Sequence, residues 1–361
     1  MRISLIGAGL LALAAAASAA PEFDLQGHRG TRGNAPENTI TAFEKALAIG
    51  VTTLEMDAAI TADGVVVVSH DPALNPALTR DAGGQWLKGR GPLIRSLSHA
   101  QLQAYDVGRI DPASDYAKQF PTQQAKDGER LPTLAAVFAR VKALGADNVR
   151  FDIETKISPV APDETLAPEP FVRALLAVIR EAGMTKRVMI QSFDWRTLKL
   201  VQQLEPGMQT MYLTVRTRSS DNLADGTWTG GMRLRDHASP GHMVKAAGGT
   251  IWAPNQASLT RDDLKSAQQL GLKVIPWTVN DPAVADRLIE WGVDGIISDY
   301  PDRIREVMAK RGLPLPPPVP ARGRFAGGFT AAGSSVAAGH GHGTAPSAHV
   351  PRMPPAAAFS S

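Results

Sequence analysis

The sequence predicts an α/β protein in which eight parallel strands close into a barrel with helices outside, that is, a TIM-type (β/α)8 barrel. Short apolar segments of strand character alternate with helical segments along most of the 361 residues. Polar residues follow these apolar segments, as at the active end of a parallel barrel. No glycine-rich turn of the nucleotide-binding type follows the first strand, which disfavours the alternative, a doubly wound open sheet.

The N-terminal residues predict an export signal. Arg2 precedes an almost continuously apolar run over 3–17, and Ala17, Ser18 and Ala19 form a small-residue cleavage pattern. We therefore expect a signal peptide at 1–20 and a periplasmic or secreted protein, with an uncleaved anchor as the alternative. No later apolar run approaches about 20 residues, so stable membrane insertion is not expected. Cysteine is absent, which excludes a disulfide framework.

The C-terminal residues predict a disordered tail at 312–361, because proline, glycine, alanine and serine dominate there. This leaves 21–311 for the barrel. Three arginines of the tail, with no acidic residue beside them, account for the whole formal charge of +3. The basic pI is therefore no indication of nucleic-acid binding. The tail histidines are either a weak transition-metal site or simply solvated; they are His340, His342 and His349.

The first elements are marked by turn and cap residues. Pro36 suits the first turn of a helix and Gly50 its end. Val65 to Val68 are four consecutive valines typical of a buried strand, joined to the preceding strand by a turn too short for a helix. We expect the first strands at 24–27, 51–57 and 65–69, and the first helix at 36–49.

Periodicity then fails over 71–131, apart from short helical pieces such as 97–105. A segment this long in a compact domain is usually functional, so we expect an insertion after the third strand that covers one end of the fold.

Regular alternation follows, and 216–241 is expected to be a second long loop. The expected strands are 148–156, 188–193, 208–214, 250–253, 273–278 and 295–298, and the expected helices are 134–144, 169–182, 195–204, 260–270, 283–290 and 302–310. These make nine candidate strands in total, one more than an eight-stranded barrel contains. The weakest is 250–253, or alternatively 208–214.

Three carboxylates are expected to converge at the carboxyl ends of the strands. Glu55 and Asp57 are two residues apart on one strand, so they point to the same face, and Glu154 comes from the fourth candidate strand. Such carboxylates repel one another unless a proton or cation lies between them. Oxygen ligands suit Ca²⁺ or Mg²⁺, whereas zinc would recruit histidine. The sequence predicts a divalent-cation site, with a salt-bridged strand terminus as the alternative.

Two histidines flank this cluster. His28 follows the first strand and His70 the third, and imidazole titrates near neutral pH. General acid–base catalysis needs one group that takes a proton from the nucleophile and another that gives a proton to the leaving group, so these histidines are the predicted acid and base. Asp71 either orients His70 or caps the next turn.

Other polar residues at strand ends suit an anionic substrate. Arg29 offers a planar fork for phosphate oxygens, and Lys156 shares a face with Glu154. The alternatives are an ion pair for Arg29 and an ordinary exposed lysine for Lys156. Later strands end with Gln191, Trp277 and Asp299. Acids, histidines, cations and an aromatic ring together predict a phosphate-bearing substrate with a hard cation.

An ordered set of motifs resembles the glycerophosphodiester phosphodiesterase family, within the phospholipase-C-like phosphodiesterases. The matching residues run in order from about residue 24 to 305. They are His28-Arg29-Gly30, Pro36-Glu37-Asn38-Thr39, Glu55 and Asp57, Asp63-Gly64, His70-Asp71, Glu154-Thr155-Lys156, Ser192-Phe193, Trp277-Thr278-Val279-Asn280 and Asp294-Gly295-Ile296-Ile297-Ser298-Asp299.

This resemblance implies an eight-stranded barrel that hydrolyses glycerophosphodiesters to sn-glycerol 3-phosphate and an alcohol. It implies metal ligands at Glu55, Asp57 and Glu154, acid/base histidines at His28 and His70, phosphate contacts from Arg29 and Lys156, and a glycerol pocket lined by Gln191 and Trp277. The alternatives are a lysophospholipase D-type enzyme and a silent barrel that binds glycerophosphodiesters. The motifs are compatible with either Ca²⁺ or Mg²⁺ as the cation. They are also compatible with either water or a substrate hydroxyl as the nucleophile.

Overall fold

The computed structural model describes residues 23–320. The predicted signal peptide, and residues 321–361 of the predicted tail, lie outside the described part of the chain. Among the helices of residues 23–320, none combines the length and the apolar character needed to cross a membrane.

Eight parallel strands form the predicted barrel. Hydrogen-bonded neighbours follow the order β8-β7-β6-β5-β4-β2-β1-β9. Backbone bonds join the two ends of this series, from Val279 N to Ile297 O and from Ile297 N to Pro276 O, each 3.0 Å. The strands, including β3, are β1 Asp24–Gly27, β2 Thr53–Ile60, β3 Val66–Val68, β4 Arg150–Thr155, β5 Val188–Ser192, β6 Gln209–Thr214, β7 Ile251–Pro254, β8 Lys273–Val274 and β9 Gly295–Ser298.

The ninth strand is β3, which corrects the expectation that 250–253 or 208–214 lies outside the barrel. Residues 66–68 pair antiparallel with Ala58 to Ile60, the extension of β2 beyond the barrel rim. A parallel neighbour would need a long crossover, and the short turn over 61–64 allows only a hairpin. The hairpin carries the chain back over the barrel mouth, where Ser69 N bonds to Asp57 O at 2.9 Å.

Outside the insertion, the helices agree with the prediction except at two places. The first helix begins at Ile40 rather than at residue 36, because Thr39 caps it through Ala42 N at 3.2 Å. Helix α7 lies partly in the predicted loop and has no predicted counterpart. The helices are α1 Ile40–Ile49, α2 His99–Leu102, α3 Asp115–Gln119, α4 Leu134–Ala143, α5 Pro168–Glu181, α6 Trp195–Leu204, α7 Pro240–Ala246, α8 Arg261–Gln269, α9 Pro282–Trp291 and α10 Pro301–Lys310.

The barrel interior is divided into a polar half and an apolar half. Alternate residues of β1, β2 and β4 bury polar side chains, such as Gln26, Glu55 and Asp152, each at most 1% exposed. Alternate residues on the β5 to β9 side form a separate apolar cluster that includes Met211 and Trp277. Charged chemistry is therefore confined to one wall of the barrel.

The segment 71–131 folds against the barrel mouth with a small apolar cluster of its own, which includes Leu74, Leu102 and Val107. It contains α2, α3 and a short 3-10 helix, Ile94–Ser96. At the other end, residues 312–320 of the predicted tail contact the barrel, since Val319 N bonds to Leu47 O at 2.8 Å.

Candidate active site

The structure brings the three predicted carboxylates together. Asp57 of β2 lies opposite Glu154 of β4 in the parallel register, and Glu55 points to the same face. One carboxylate oxygen from each of the three residues lies within 4.8 Å of the others. The residues are 1%, 1% and 7% exposed for Glu55, Asp57 and Glu154, so water does not screen their mutual repulsion.

The electrostatics of this cluster favour a cation. Burial raises the pKa of Glu55 well above its usual range, and Asp57 and Asp152 add to the rise. Burial also raises the pKa of Glu154, to about 7, although Lys156 opposes the shift. For Asp57, burial is outweighed by His70, Arg29 and Lys156, which lower its pKa.

The donor set also fits a hard divalent ion. The three side chains offer only oxygen, the ligand atom that Ca²⁺ and Mg²⁺ prefer. Within residues 23–320, Asp57 Oδ1 is buried and accepts no hydrogen bond, so it retains capacity for a ligand. The three carboxylates therefore could hold such an ion.

The loop after β1 is folded tightly onto the cluster. Gly30 N lies 3.1 Å from Gly27 O and 3.2 Å from Glu55 O. A Cβ atom on Gly27 would lie 2.1 Å from Gly30 O, so only glycine fits there. Arg29 has a left-handed φ of 49°, a strained conformation that is concentrated at functional sites. Its backbone N–H donates to Glu55 Oε2 at 2.6 Å.

The Arg29 guanidinium group is held beside the carboxylates. Its Nη1 donates to Glu37 Oε1 at 2.7 Å, and its Nε lies 3.5 Å from Asp57 Oδ2. Asn38, which also has a left-handed φ of 56°, donates to the same Asp57 oxygen at 2.9 Å. Glu37 and Asn38 are two of the four residues, 36–39, that were expected to be helical and instead belong to this loop. Their loop conformation is what places Arg29.

His28 is oriented by the carboxylate of Asp299. The sequence predicted Asp299 at a strand end but assigned it no role. Asp299 Oδ1 lies 2.6 Å from His28 Nδ1. A carboxylate can only accept, so Nδ1 carries the hydrogen, and Nε2 faces Glu55 Oε2 at 3.9 Å. Asp299 is itself fixed by Arg32 Nε at 2.6 Å and Asn280 Nδ2 at 2.7 Å. Burial lowers the pKa of His28 to about 4, with Asp299 opposing the shift.

His70 is arranged in the same way. Its Nδ1 lies 2.9 Å from Asp71 Oδ1, which supports an orienting role for Asp71, and its Nε2 lies 3.0 Å from Lys156 Nζ. Burial, followed by Arg29 and Lys156, lowers its pKa well below the usual range. Lys156 also pairs with Glu154 at 3.0 Å. Lys156 therefore contacts both the carboxylate cluster and the second imidazole.

The remaining two predicted residues lie on opposite walls. Gln191 is 2% exposed and donates through Nε2 to Glu55 Oε1 at 2.8 Å, so it contacts the carboxylate cluster itself. Trp277 lies in the apolar half, edge-on to Phe193 with ring centroids 5.3 Å apart, and its indole N–H donates to Ala253 O at 2.8 Å. The barrel mouth thus offers a charged wall facing an aromatic wall.

A small cavity of about 30 Å³ lies between the loop after β1 and the insertion, with His70 and Thr79 in its lining. It has room for about two water molecules. A larger groove of about 1110 Å³ lies outside the barrel between α5, α6 and α7 and touches none of the three carboxylates.

Sequence comparison identifies related proteins. Residues 28–303 match the glycerophosphoryl diester phosphodiesterase family. A glycerophosphodiester phosphodiesterase from Bacillus subtilis is 28% identical over 285 residues, covering 78% of this chain and 84% of that protein. One from Caldanaerobacter subterraneus is 27% identical, covering 79% and 97%. A lysophospholipase D from Homo sapiens is 24% identical, covering 78% and 84%.

Structural comparison agrees. A solved structure from Silicibacter pomeroyi, which carries a provisional glycerophosphoryl diester phosphodiesterase name, is 34% identical with a TM-score of 0.73, covering 81% of this chain and 95% of that one. An Oleispira antarctica phosphodiesterase solved with the product sn-glycerol-3-phosphate is 22% identical with a TM-score of 0.59, covering 79% and 96%, and shares the fold.

Proposed function

The chain belongs to the glycerophosphoryl diester phosphodiesterase family, and from this premise we propose that it hydrolyses glycerophosphodiesters to sn-glycerol 3-phosphate and an alcohol with the help of a divalent cation. The observation that carries the proposal is the arrangement of the charged wall. Three buried carboxylates are surrounded by the Nε2 atoms of His28 and His70 and by the cationic side chains of Arg29 and Lys156.

Glu55, Asp57 and Glu154 would hold the cation, Ca²⁺ or Mg²⁺. When bound, such an ion polarises the phosphoryl group and neutralises charge that develops on its oxygens. Arg29 is preorganised to bind a phosphate oxygen, because Glu37 and Asp57 fix its guanidinium group before substrate arrives. Lys156 supplies a second positive charge on the same wall.

The two histidines would move the protons. His28 is assigned as the base, because Asp299 holds its Nδ1–H and leaves the Nε2 lone pair facing the cluster. Asp299 also stabilises the imidazolium that forms when Nε2 takes a proton from the attacking hydroxyl. His70 would protonate the leaving alkoxide. Its Nε2 accepts a hydrogen bond from the Lys156 ammonium group, so Nε2 would first take that proton from Lys156 and then pass it to the alkoxide, and the Lys156 amine would regain a proton from solvent.

The experiment is an assay of sn-glycerol 3-phosphate release from several glycerophosphodiesters by the wild-type chain, His28→Gln and His70→Gln. We expect release from at least one glycerophosphodiester and a loss of about a hundredfold or more in each variant, the usual contribution of a positioned acid or base. His242→Gln is the matched control, since His242 lies in α7, outside the site, and contacts the N-cap residue Ser239. Release that persists in both variants would refute the proposal.

A second candidate substrate follows from the human relative, which is named a lysophospholipase D. Lysophosphatidylcholine belongs in the same assay. Choline release from it, without release of sn-glycerol 3-phosphate from any glycerophosphodiester, would favour that alternative. Binding of glycerophosphodiesters without turnover would favour a silent binding barrel.

We also propose that the chain acts in the periplasm or outside the cell. This proposal rests only on the N-terminal pattern of Arg2, the apolar run over 3–17 and the small residues that follow. N-terminal sequencing of the mature protein is expected to begin near Pro21. An intact N terminus on protein recovered from the cytoplasm would refute it.

A further inference from the structure

Helix α3 of the insertion directs two aromatic side chains back onto the barrel. Tyr116 and Phe120 contact each other with ring centroids 5.0 Å apart. Phe120 is 5% exposed, although no residue within α3 itself is fully buried. The Phe120 ring also lies under the guanidinium group of Arg32, 4.7 Å away, in a cation–π contact.

The Tyr116 hydroxyl group joins two charged residues of the loop after β1. It donates a short hydrogen bond to Glu37 Oε2 and accepts one from Arg32 Nη1 at 3.2 Å. Burial and the Glu37 carboxylate raise the pKa of Tyr116, so the hydroxyl keeps its proton and remains a donor.

Each of these partners contacts a residue of the proposed mechanism. Glu37 Oε1 accepts from Arg29 Nη1 at 2.7 Å. Arg32 Nε donates to Asp299 Oδ1 at 2.6 Å, and that same oxygen lies 2.6 Å from His28 Nδ1. One side chain therefore separates Tyr116 from the phosphate-binding arginine, and two separate it from the histidine assigned as base.

The chain that follows α3 fastens the same loop. Thr122 Oγ1 donates to Gly33 O at 3.1 Å, Gln123 Nε2 donates to Arg32 O at 2.7 Å, and Gln124 N bonds to Asn34 O at 3.1 Å. The insertion thus contacts the loop after β1 through its backbone as well as through Tyr116.

We propose that Tyr116 is a positioning residue, through which the insertion holds Glu37 and Arg32 and thereby orients Arg29 and His28. The inference rests on the proposed function. Without the hydroxyl donor, Glu37 Oε2 loses a charge-assisted hydrogen bond and the carboxylate is free to rotate away from Arg29. Arg29 then binds the phosphate less tightly, because part of its ordering must occur when substrate binds.

The test is Tyr116→Phe, which keeps the ring and its packing on Phe120 and removes only the hydroxyl. We expect kcat/KM to fall about tenfold, the effect of one hydrogen bond to a charged group. We also expect the inhibition constant of sn-glycerol 3-phosphate to rise by a similar factor, because that product reports on the Arg29 contact. The lost hydrogen bond should also lower the thermal midpoint somewhat, and the inhibition constant distinguishes the positioning role from this loss of stability.

The matched control is Tyr105→Phe, the same change elsewhere in the insertion. Tyr105 packs against the apolar cluster of the insertion, and its hydroxyl has no hydrogen-bond partner among residues 23–320. Kinetic constants within twofold of wild type are expected. If Tyr116→Phe also stays within twofold, or loses stability with an unchanged inhibition constant, the positioning role is overturned.

A double-variant cycle shows whether Tyr116 acts through Glu37. In a Glu37→Gln background, the further change Tyr116→Phe should cost much less than tenfold, because the contact between the two side chains is already weakened. Full additivity would overturn the proposed route. Should Tyr116→Phe fail to fold, an unchanged inhibition constant in Glu37→Gln alone would overturn the proposal. An inactive wild-type chain would instead refute the proposed function, and this inference with it.

Discussion

At the scale of single residues, the orientation of each active-site imidazole is set by an aspartate that contacts its Nδ1 atom. His28 and His70 both bond through Nδ1 to an aspartate and direct Nε2 to the charged wall. The sequence predicted both histidines. It assigned no role to Asp299, because its distance of 271 residues from His28 along the chain leaves no local pattern.

The ionisation of Asp299 makes a testable contribution to stability. Burial opposes its charge, but Arg32 and His28 outweigh burial and lower its pKa. A lowered pKa in the folded state stabilises the fold above the unfolded-state pKa of about 3.9, and the contribution is lost as pH falls below that value. At pH 7, Asp299→Asn should lower the free energy of unfolding by about 3 kcal/mol, because Arg32 loses its buried partner.

Urea unfolding of the wild type and Asp299→Asn, measured from pH 7 down to pH 3, tests this expectation. The difference should shrink steadily below about pH 4. Asp236→Asn is the control, since Asp236 is exposed. A difference that is constant with pH would show that Asp299 is not held as a carboxylate by these cations.

The three carboxylates should destabilise the metal-free protein and stabilise the cation-bound protein. In the absence of divalent ions, Glu154→Gln removes one of three buried, mutually repelling carboxylates, so the metal-free protein should be more stable by about 1–2 kcal/mol. Wild type should gain stability when Ca²⁺ or Mg²⁺ is added, and the variant should gain far less. Thermal unfolding with a chelator and with each ion measures both effects. A variant stabilised by the ions as strongly as wild type would exclude Glu154 as a ligand.

At the scale of elements, the alternation of strand and helix segments along the chain was sufficient to predict the barrel. Period-two geometry within one strand placed Glu55 and Asp57 on one face, which the structure confirms. β3 was misplaced because four valines predict a strand without indicating its direction. α7 was missed because it is short and follows a polar loop, although Ser239 before Pro240 is a recognisable helix start.

The β2–β3 hairpin places His70, and its turn depends on Gly64. Gly64 has a left-handed φ of 79° and open space around the position of a Cβ atom. Gly64→Ala should therefore cost about 1–2 kcal/mol from backbone strain alone. Gly207→Ala is the control, because Gly207 also faces open space and its φ is not left-handed. Equal unfolding free energies for the two variants would refute this account of the turn.

At the scale of the whole molecule, the division of the barrel interior explains where chemistry is possible. Strands β1, β2 and β4 carry the charged wall, and the β5 to β9 side carries the apolar wall. The sequence predicted the strands of both walls. It could not predict that the insertion returns to the loop after β1, because Tyr116 and Glu37 are 79 residues apart and meet only in the folded chain.

The central claim is that Glu55, Asp57 and Glu154 hold a cation needed for phosphodiester hydrolysis. The most direct measurement is sn-glycerol 3-phosphate release by wild-type protein that has been freed of metal with a chelator and then given Ca²⁺ or Mg²⁺. We predict that the metal-free protein keeps less than about 1% of its turnover, since one metal supplies several kcal/mol of transition-state stabilisation, and that one of the two ions restores it. Full turnover by the metal-free protein would contradict the claim.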